Sequence, residues 1–221
     1  TTSANFFQNG GHGSTSAIQL RGLPKRYSTV YIDGVKMSDP SSVSGDFDFN
    51  HILTSQISRV EILKGNQSSV YGSGAIGGTI NITTKKGKPG TRTNSMINTG
   101  SHGTLNYSAS YSGSDDVNNF YVGFERFQTD GMSAMTHNDE KDGYKNSSLI
   151  ANYSRELPNN FKLKSNLRFS DTYNQYDKEI DTATAAHNEE EDSIQYSANL
   201  SLEYDLNERF KNEVTLAQTY I

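Results

Sequence analysis

The feature that most constrains the fold of this chain is an alternation of apolar and polar residues that recurs between Leu105 and Tyr220. In segment 105–111 every second residue is Leu, Tyr or Ala, and segment 194–204 repeats the pattern with Ile, Tyr, Ala and Leu. Successive side chains of a β-strand point to opposite faces of a sheet, so each segment predicts a strand with one apolar and one polar face. Strands of about ten residues with this pattern are typical of transmembrane β-barrels, although soluble β-sandwiches alternate in the same way.

The connections between these strands alternate in length. Connections 113–117, 157–160 and 205–208 are short, whereas 129–146 and 171–192 are long, and the long ones fall on the same side of the predicted sheet. Outer-membrane barrels have short periplasmic turns and long outer loops. Since a sandwich does not need one-sided loops, this asymmetry favours the membrane barrel.

The composition argues against several other classes of protein. The chain has no Cys, which excludes disulfides and thiolate metal sites, and its net charge of −5 argues against a nucleic-acid partner. No apolar run reaches the roughly 18 residues of a transmembrane helix. The five histidines are scattered without metal-ligand spacing, and no nucleophile elbow or Walker motif is present, so we predict no enzyme.

A glycine-rich turn between two short strands organises the N-terminal part of the chain. Apolar residues at 57, 60, 62 and 63 precede it, and the alternating segment TINITT follows at 79–84. The intervening SSVYGSGAIGG has room for one helical turn and a tight bend. Residues 72–77 match the G-x-G-x-x-G pattern, but a strand follows directly and no acidic residue occurs between Glu61 and Asp115, which disfavours a nucleotide-binding enzyme.

The remaining N-terminal elements are short. Residues 1–17 are rich in Gly, Ser, Thr and Asn and predict a surface loop, and strands are predicted at 17–21 and 27–32. Asp33-Gly34 predicts a hairpin into a strand at 35–37. One helical turn is predicted at 51–56, and the basic segment KKGKPG at 85–90 predicts a domain boundary.

Three motifs in the expected order resemble those of one family. RVEILKG with SVYGSGAIGGTINITTK (59–85), IQLRG (18–22) and VYIDGVKM (30–37) resemble the plug domain of TonB-dependent outer-membrane receptors. QNGGHGSTSAIQLRG (8–22) and VSGDFDFNHI (43–52) are most similar to the vitamin B12 (cobalamin) receptor branch. Lys64 and Asn66 depart from the Arg and Pro that the family usually has, but no glycine of the turn is lost.

The resemblance implies a mainly β fold, with a small α+β plug domain at 1–88 lacking its beginning. The first strands of a transmembrane barrel follow at 89–221. The resemblance implies about 22 strands in the complete barrel, which lies in a Gram-negative outer membrane. It implies TonB-dependent uptake of a corrinoid, with an iron-siderophore or haem as the alternative ligand. The implied partners are TonB, the ligand and outer-membrane lipid, with a monomeric protein. An adhesive barrel without transport is the competing class, and the plug motifs argue against it.

The resemblance also implies ligand contacts in polar loops on the outward side of the plug. The matching positions are Asn9, Thr15, Val43 and Ser44.

An acidic segment suggests a calcium site in the outer loop 171–192. Residues 177–192 hold seven carboxylates against one Lys, and clustered carboxylate oxygens suit Ca²⁺. The spacing is not that of an EF-hand, and a solvated acidic loop is the alternative. By resemblance to the aspartates of cobalamin receptors, the candidate ligands are Asp177, Asp181, Glu190 and Asp192.

Charges inside apolar plug strands need partners. Arg59 and Glu61 lie on one face of a predicted strand, either as a solvent-facing pair or as members of a larger network. The resemblance implies plug arginines that meet barrel glutamates, which makes Arg21, Arg59, Glu61 and Glu125 a candidate plug–barrel charge network, with Glu203 as a further partner.

Overall fold

The computed structural model describes residues 4–38, 45, 47–133, 141–177, 188–207 and 210–221, and these residues form three β-sheets. The strands are β1 (Ala4–Gln8), β2 (Ser16–Leu20), β3 (Ser28–Ile32), β4 (Val35–Met37), β5 (Ile57–Lys64), β6 (Gly78–Thr84), β7 (Gly90–Thr99), β8 (Leu105–Ser114), β9 (Asn118–Thr129), β10 (Tyr144–Leu157), β11 (Phe161–Asp177), β12 (Asn188–Asn207) and β13 (Phe210–Tyr220). One α-helical turn, α1 (Ser68–Tyr71), and three 3₁₀ turns at Lys25–Tyr27, Phe49–His51 and Thr54–Gln56 complete the described elements.

The first sheet is a hairpin of β1 and β2, in which Ala4 pairs with Leu20 and Gln8 with Ser16. The prediction of a surface loop over 1–17 is therefore wrong for β1. The polar residues on both sides hid the strand, whereas Phe6 and Phe7 have the high β-propensity that suits pairing with β2.

The second sheet has the strand order β4-β3-β6-β5, with β3 and β6 parallel. The predicted Asp33-Gly34 hairpin joins β3 to β4, and Asp33 has a φ of +47°. This left-handed conformation is held because the Asp33 carboxylate accepts hydrogen bonds from Thr84 N (3.0 Å) and Thr84 Oγ1 (2.6 Å). The sheet buries a small apolar core of Leu20, Val30, Ile32, Met37, Phe47, Ile80 and Ile82.

The predicted helical turn after β5 is α1, and it ends at Gly72, whose φ is +86°. No helix within the described ranges is long and apolar enough to cross a membrane. The segment predicted as one turn at 51–56 forms parts of two 3₁₀ turns instead.

The third sheet, called the wall below, consists of β7 to β13 in sequence order, and every neighbouring pair is antiparallel. It is open within the described residues, since β7 and β13 are its two edges. The mainly β fold, with an α+β unit followed by antiparallel strands, is confirmed.

The two faces of the wall differ in chemistry. One face packs against the N-terminal unit (residues 4–84) and buries polar side chains, among them Asn146, Ser148, Asn152, Arg168, Ser170, Gln195 and Ser197. The other face exposes large apolar side chains, among them Val122, Phe124, Leu167, Phe169, Leu200, Val214 and Leu216. An apolar outside and a polar inside are the arrangement of a transmembrane barrel.

The wall strands extend further than predicted. β11 continues to Asp177 and β12 begins at Asn188, so much of the predicted loop 171–192 is strand. The backbone ladder continues through this polar segment because inter-strand hydrogen bonds do not depend on an apolar face.

Candidate functional site

The interface between the N-terminal unit and the wall centres on residues 49–56, called the junction segment. Asp48 Oδ1 accepts a hydrogen bond from Asn50 N at 3.0 Å and caps the first 3₁₀ turn. The same oxygen accepts from Ser16 N (3.2 Å) and Ser16 Oγ (3.0 Å), which ties the turn to β2. The two turns leave backbone carbonyls of the segment available to the wall.

Wall side chains bind two of these carbonyls. Tyr144 Oη donates to the Asn50 carbonyl oxygen at 2.7 Å. Arg168 Nη2 donates to the His51 carbonyl oxygen at 2.6 Å, and Arg168 Nη1 donates to Gln195 Oε1 at 3.4 Å. Arg168 is 5% exposed, and its positive charge strengthens the hydrogen bond to the backbone of the N-terminal unit.

The His51 ring also belongs to this interface, with His51 Nδ1 3.1 Å from Thr172 Oγ1. The half-buried His51 ring therefore joins the interface through a side-chain contact with β11.

The second half of the junction segment is held by side chains on both sides. Gln56 and Ser148 are both buried and hydrogen-bond each other. Ser55 Oγ donates to the Glu125 carboxylate, which also accepts from Asn106 Nδ2 at 3.0 Å. The buried Glu125 therefore contacts the N-terminal unit through a hydroxyl.

A second set of contacts lies where the N-terminal unit leads into the wall. Asn152 Nδ2 donates to Thr84 Oγ1 (2.6 Å) and to the Lys85 carbonyl oxygen (2.7 Å). Asn199 Nδ2 donates to the Asp33 carbonyl oxygen at 3.0 Å. The Asn119 side chain accepts from Gly87 N and donates to the Gly87 carbonyl oxygen, both at 2.9 Å. Amide side chains of three wall strands, β9, β10 and β12, therefore hold this connection.

The predicted ligand residues lie partly outside the described ranges. Asn9 and Thr15 are exposed at the base of the β1–β2 loop, where Asn9 N donates to the Thr15 carbonyl oxygen at 3.2 Å. The tip of that loop touches the wall, since the His12 ring lies 4.7 Å from the Phe127 ring. Val43 and Ser44 are not among the described residues, so their role stays a prediction.

Within the described residues, no contact joins all four residues of the predicted charge network into one cluster. Arg59 Nη2 and Glu61 Oε2 lie 3.2 Å apart and form an exposed pair on β5. Arg21 is also exposed, with a φ of +56°. Of the four, only Glu125 is seen to join the N-terminal unit to the wall, and the network itself stays a prediction.

The predicted calcium ligands are described only in part. Asp181 lies outside the described residues, and Asp177 is placed only by its backbone, opposite Asn188. Asp192 pairs with Tyr173, four residues further along the ladder, which puts it about 13 Å from the level of Asp177. Within the described ranges no group of three or more His, Asp or Glu side chains could hold a metal ion, and calcium stays a prediction.

Among the described residues outside the wall strands, Tyr31 and Asp115 have shifted pKa values. Burial, followed by the neighbouring Tyr71, raises the pKa of Tyr31, whose hydroxyl donates to the Tyr71 carbonyl oxygen at 3.1 Å. In the turn after β8, the backbone N–H groups of Asn118 (2.6 Å) and Val117 (2.8 Å) donate hydrogen bonds to the Asp115 carboxylate and lower its pKa. Tyr31 thereby packs against α1, and Asp115 organises the turn between β8 and β9.

Comparison with known proteins places these features in a family. Residues 1–79 match the TonB-dependent Receptor Plug Domain. The chain is 29% identical over 214 residues to the vitamin B12 transporter BtuB of Photobacterium profundum, covering 95% of this chain and 34% of that protein. It is 30% identical over 176 residues to BtuB of Vibrio vulnificus, covering 77% and 28% respectively. The chain therefore spans about a third of the length of the curated relatives it matches.

A solved structure shares the fold of this chain. A mutant of the ferric enterobactin receptor PfeA from Pseudomonas aeruginosa, in complex with enterobactin, is similar with a TM-score of 0.74 and 19% identity. The similarity covers 98% of this chain and 37% of that receptor. The chain therefore belongs to the TonB-dependent receptors of the Gram-negative outer membrane, as predicted, with a plug domain in residues 1–79 and receptor-type barrel strands after it.

Proposed function

We propose that this chain is the plug and the first wall strands of a receptor that imports a metal-chelate ligand across the outer membrane, with energy supplied by TonB. The plug is assigned to 1–88 and the wall to 89–221. The protein binds and moves its ligand without bond chemistry. It acts as a monomer in outer-membrane lipid, which the exposed apolar face of the wall would contact.

The observation that carries this proposal is the polar interface between plug and wall. The junction segment is held by hydrogen bonds from Tyr144, Arg168 and Ser148 rather than by a continuous apolar core. A hydrogen bond contributes a net of about 0.5–1.5 kcal/mol, because water replaces it when it breaks. Such an interface holds the plug in place and still lets it rearrange when an external partner does work on it.

A corrinoid is the ligand that we propose. Its support is sequence similarity to two proteins named as vitamin B12 transporters, spread over 95% and 77% of this chain. The contacts would come from Asn9, Thr15, Val43 and Ser44 on the outward loops of the plug.

An iron-siderophore is the second candidate, because the solved receptor with the same fold holds enterobactin. That similarity rests on 19% identity, which concerns the fold, so sequence relatives favour the corrinoid.

The test uses the full-length receptor purified in detergent and titrated separately with cyanocobalamin and with ferric enterobactin. We expect saturable binding of cyanocobalamin that weakens when Asn9 and Ser44 are both replaced by Trp. Lys36→Trp is the matched control, since Lys36 is an exposed plug residue beside the Asp33-Gly34 turn. Saturable binding of ferric enterobactin alone would select the siderophore, and unchanged affinity in the Asn9/Ser44 variant would remove these loops from the site.

A further inference from the structure

A cavity of about 580 Å³ lies between the start of β5, the connector 85–88 and the inner face of β7 to β9. Four cationic side chains line it: Lys85, Lys86, Lys88 and Arg92. In the described part of the chain no carboxylate lines this cavity, and none of the four cations forms an ion pair. The chain as a whole has a net charge of −5, so the charge of the cavity lining is opposite in sign to that of the whole chain.

The backbone that carries the three lysines is fixed to its surroundings. Lys85 N donates to the Gln56 carbonyl oxygen at 3.0 Å, and the Lys85 carbonyl oxygen accepts from Asn152. Asn119 binds both the N–H and the carbonyl oxygen of Gly87. The backbone positions of the lysines are therefore fixed beside the cavity, and their side chains share its lining.

The rest of the lining suits an anion. Ser58, Asn94 and Ser108 contribute hydroxyl and amide groups that can donate to oxyanions. A recess lined by charges of one sign concentrates counter-ions from solution. The volume also falls within the range of about 300–1,000 Å³ that is usual for small-ligand sites.

We propose that this cavity binds a phosphate-bearing anion, which neutralises the four cations between plug and wall. A free phosphate compound and the headgroup of a phospholipid share this chemistry. The site is separate from the outward loops, and its occupancy does not depend on which ligand the receptor imports.

The experiment compares three forms of the full-length receptor in a non-ionic detergent: wild type, K85Q/K88Q/R92Q and K36Q/K64Q/R26Q. The control triple variant removes the same number of Lys and Arg charges from exposed plug positions outside the cavity. Each form is titrated calorimetrically with pyrophosphate in one arm and with short-chain phosphatidylglycerol in the other. A heat-modifiability gel checks that every variant is folded.

We expect the cavity variant, K85Q/K88Q/R92Q, to bind one of the two probes roughly tenfold more weakly than wild type, because it loses three charge contacts. The control variant keeps wild-type affinity, and the arm that responds identifies the free anion or the headgroup as the source. The proposal is overturned if wild type binds neither probe. It is equally overturned if the cavity variant binds as wild type does, or if both triple variants weaken alike.

Discussion

Gln56 of the plug and Ser148 of the wall hydrogen-bond each other in both directions. Ser148 Oγ donates to Gln56 Oε1 at 3.0 Å, and Gln56 Nε2 donates to the Ser148 carbonyl oxygen at 3.2 Å. Both residues are buried, so the loss of one leaves a buried polar group of the other without this bond. An unsatisfied buried polar group costs about 1–3 kcal/mol, which makes this pair sensitive to the loss of one member.

We expect Ser148→Ala to weaken the attachment of the plug by about 1–3 kcal/mol, because the Gln56 amide oxygen loses its donor. The measurement is the urea concentration at which the plug of the purified full-length receptor becomes sensitive to protease. Ser154→Ala, on the same strand and with the same side-chain direction, is the control. A double variant Gln56→Leu/Ser148→Ala should recover part of the loss, and equal effects of Ser148→Ala and Ser154→Ala would contradict the prediction.

Arg168 supplies a second test of the interface, because it is a buried cation that makes no ion pair with a carboxylate in the described residues. Arg168→Met removes its bond to the His51 carbonyl, and a bond to a charged group contributes about 1.5–3 kcal/mol. We expect cells that express the variant receptor to admit a large antibiotic that the outer membrane normally excludes.

Arg155→Met is the control, since Arg155 is exposed on the neighbouring strand β10. An unchanged barrier in Arg168→Met cells would mean that the desolvation cost of the buried cation outweighs its hydrogen bonds.

Local patterns predicted the fold, whereas the interface depends on long-range pairing. Alternation predicted the wall strands, and glycine spacing predicted the turn between β5 and β6. Arg168 fell in the polar phase of its strand, but its partner is 117 residues away, and no local signal connects them.

Hydrogen bonding to backbone explains the other interface residues that sequence analysis missed. Tyr144 and Asn152 bind carbonyl oxygens of the plug, which any residue type provides. No complementary side chain of the plug therefore marks the Tyr144 bond, and the one plug side chain that Asn152 meets, the Thr84 hydroxyl, is 68 residues away in the sequence. The only available signal was the polar side chain on the inward face of a barrel strand.

Gly87 marks the point where the connector lies directly on the wall. A Cβ added there would be 2.0 Å from the Gly113 carbonyl oxygen and 2.7 Å from the Phe120 carbonyl oxygen. Because both obstacles are backbone of paired strands, neither can move aside cheaply. We expect Gly87→Ala to displace the connector and lower the yield of folded receptor in the outer membrane, measured by heat-modifiability on gels.

Gly11→Ala is the matched control, since a Cβ at Gly11 meets nothing within 4 Å and its φ is not in the left-handed region. A normal yield for Gly87→Ala would show that the connector has more freedom than its bonds to Asn119 imply.

The register of β11 and β12 sharpens the calcium prediction. Asp177 pairs with Asn188, whereas Glu190 pairs with Gln175 and Asp192 with Tyr173. Ca²⁺ binds its oxygen ligands at about 2.3–2.6 Å, so carboxylates on levels of the ladder about 13 Å apart cannot both bind one ion directly.

If the acidic segment binds calcium, we expect Asp177→Asn to abolish the dependence of cyanocobalamin affinity on calcium, and Asp192→Asn to reduce it far less. The measurement is cyanocobalamin affinity of each full-length variant with calcium and with a chelator. Equal effects of the two substitutions would require a loop conformation that brings Asp192 to the ion. If the cyanocobalamin affinity of the wild-type receptor is the same with calcium and with the chelator, the segment is a solvated acidic surface.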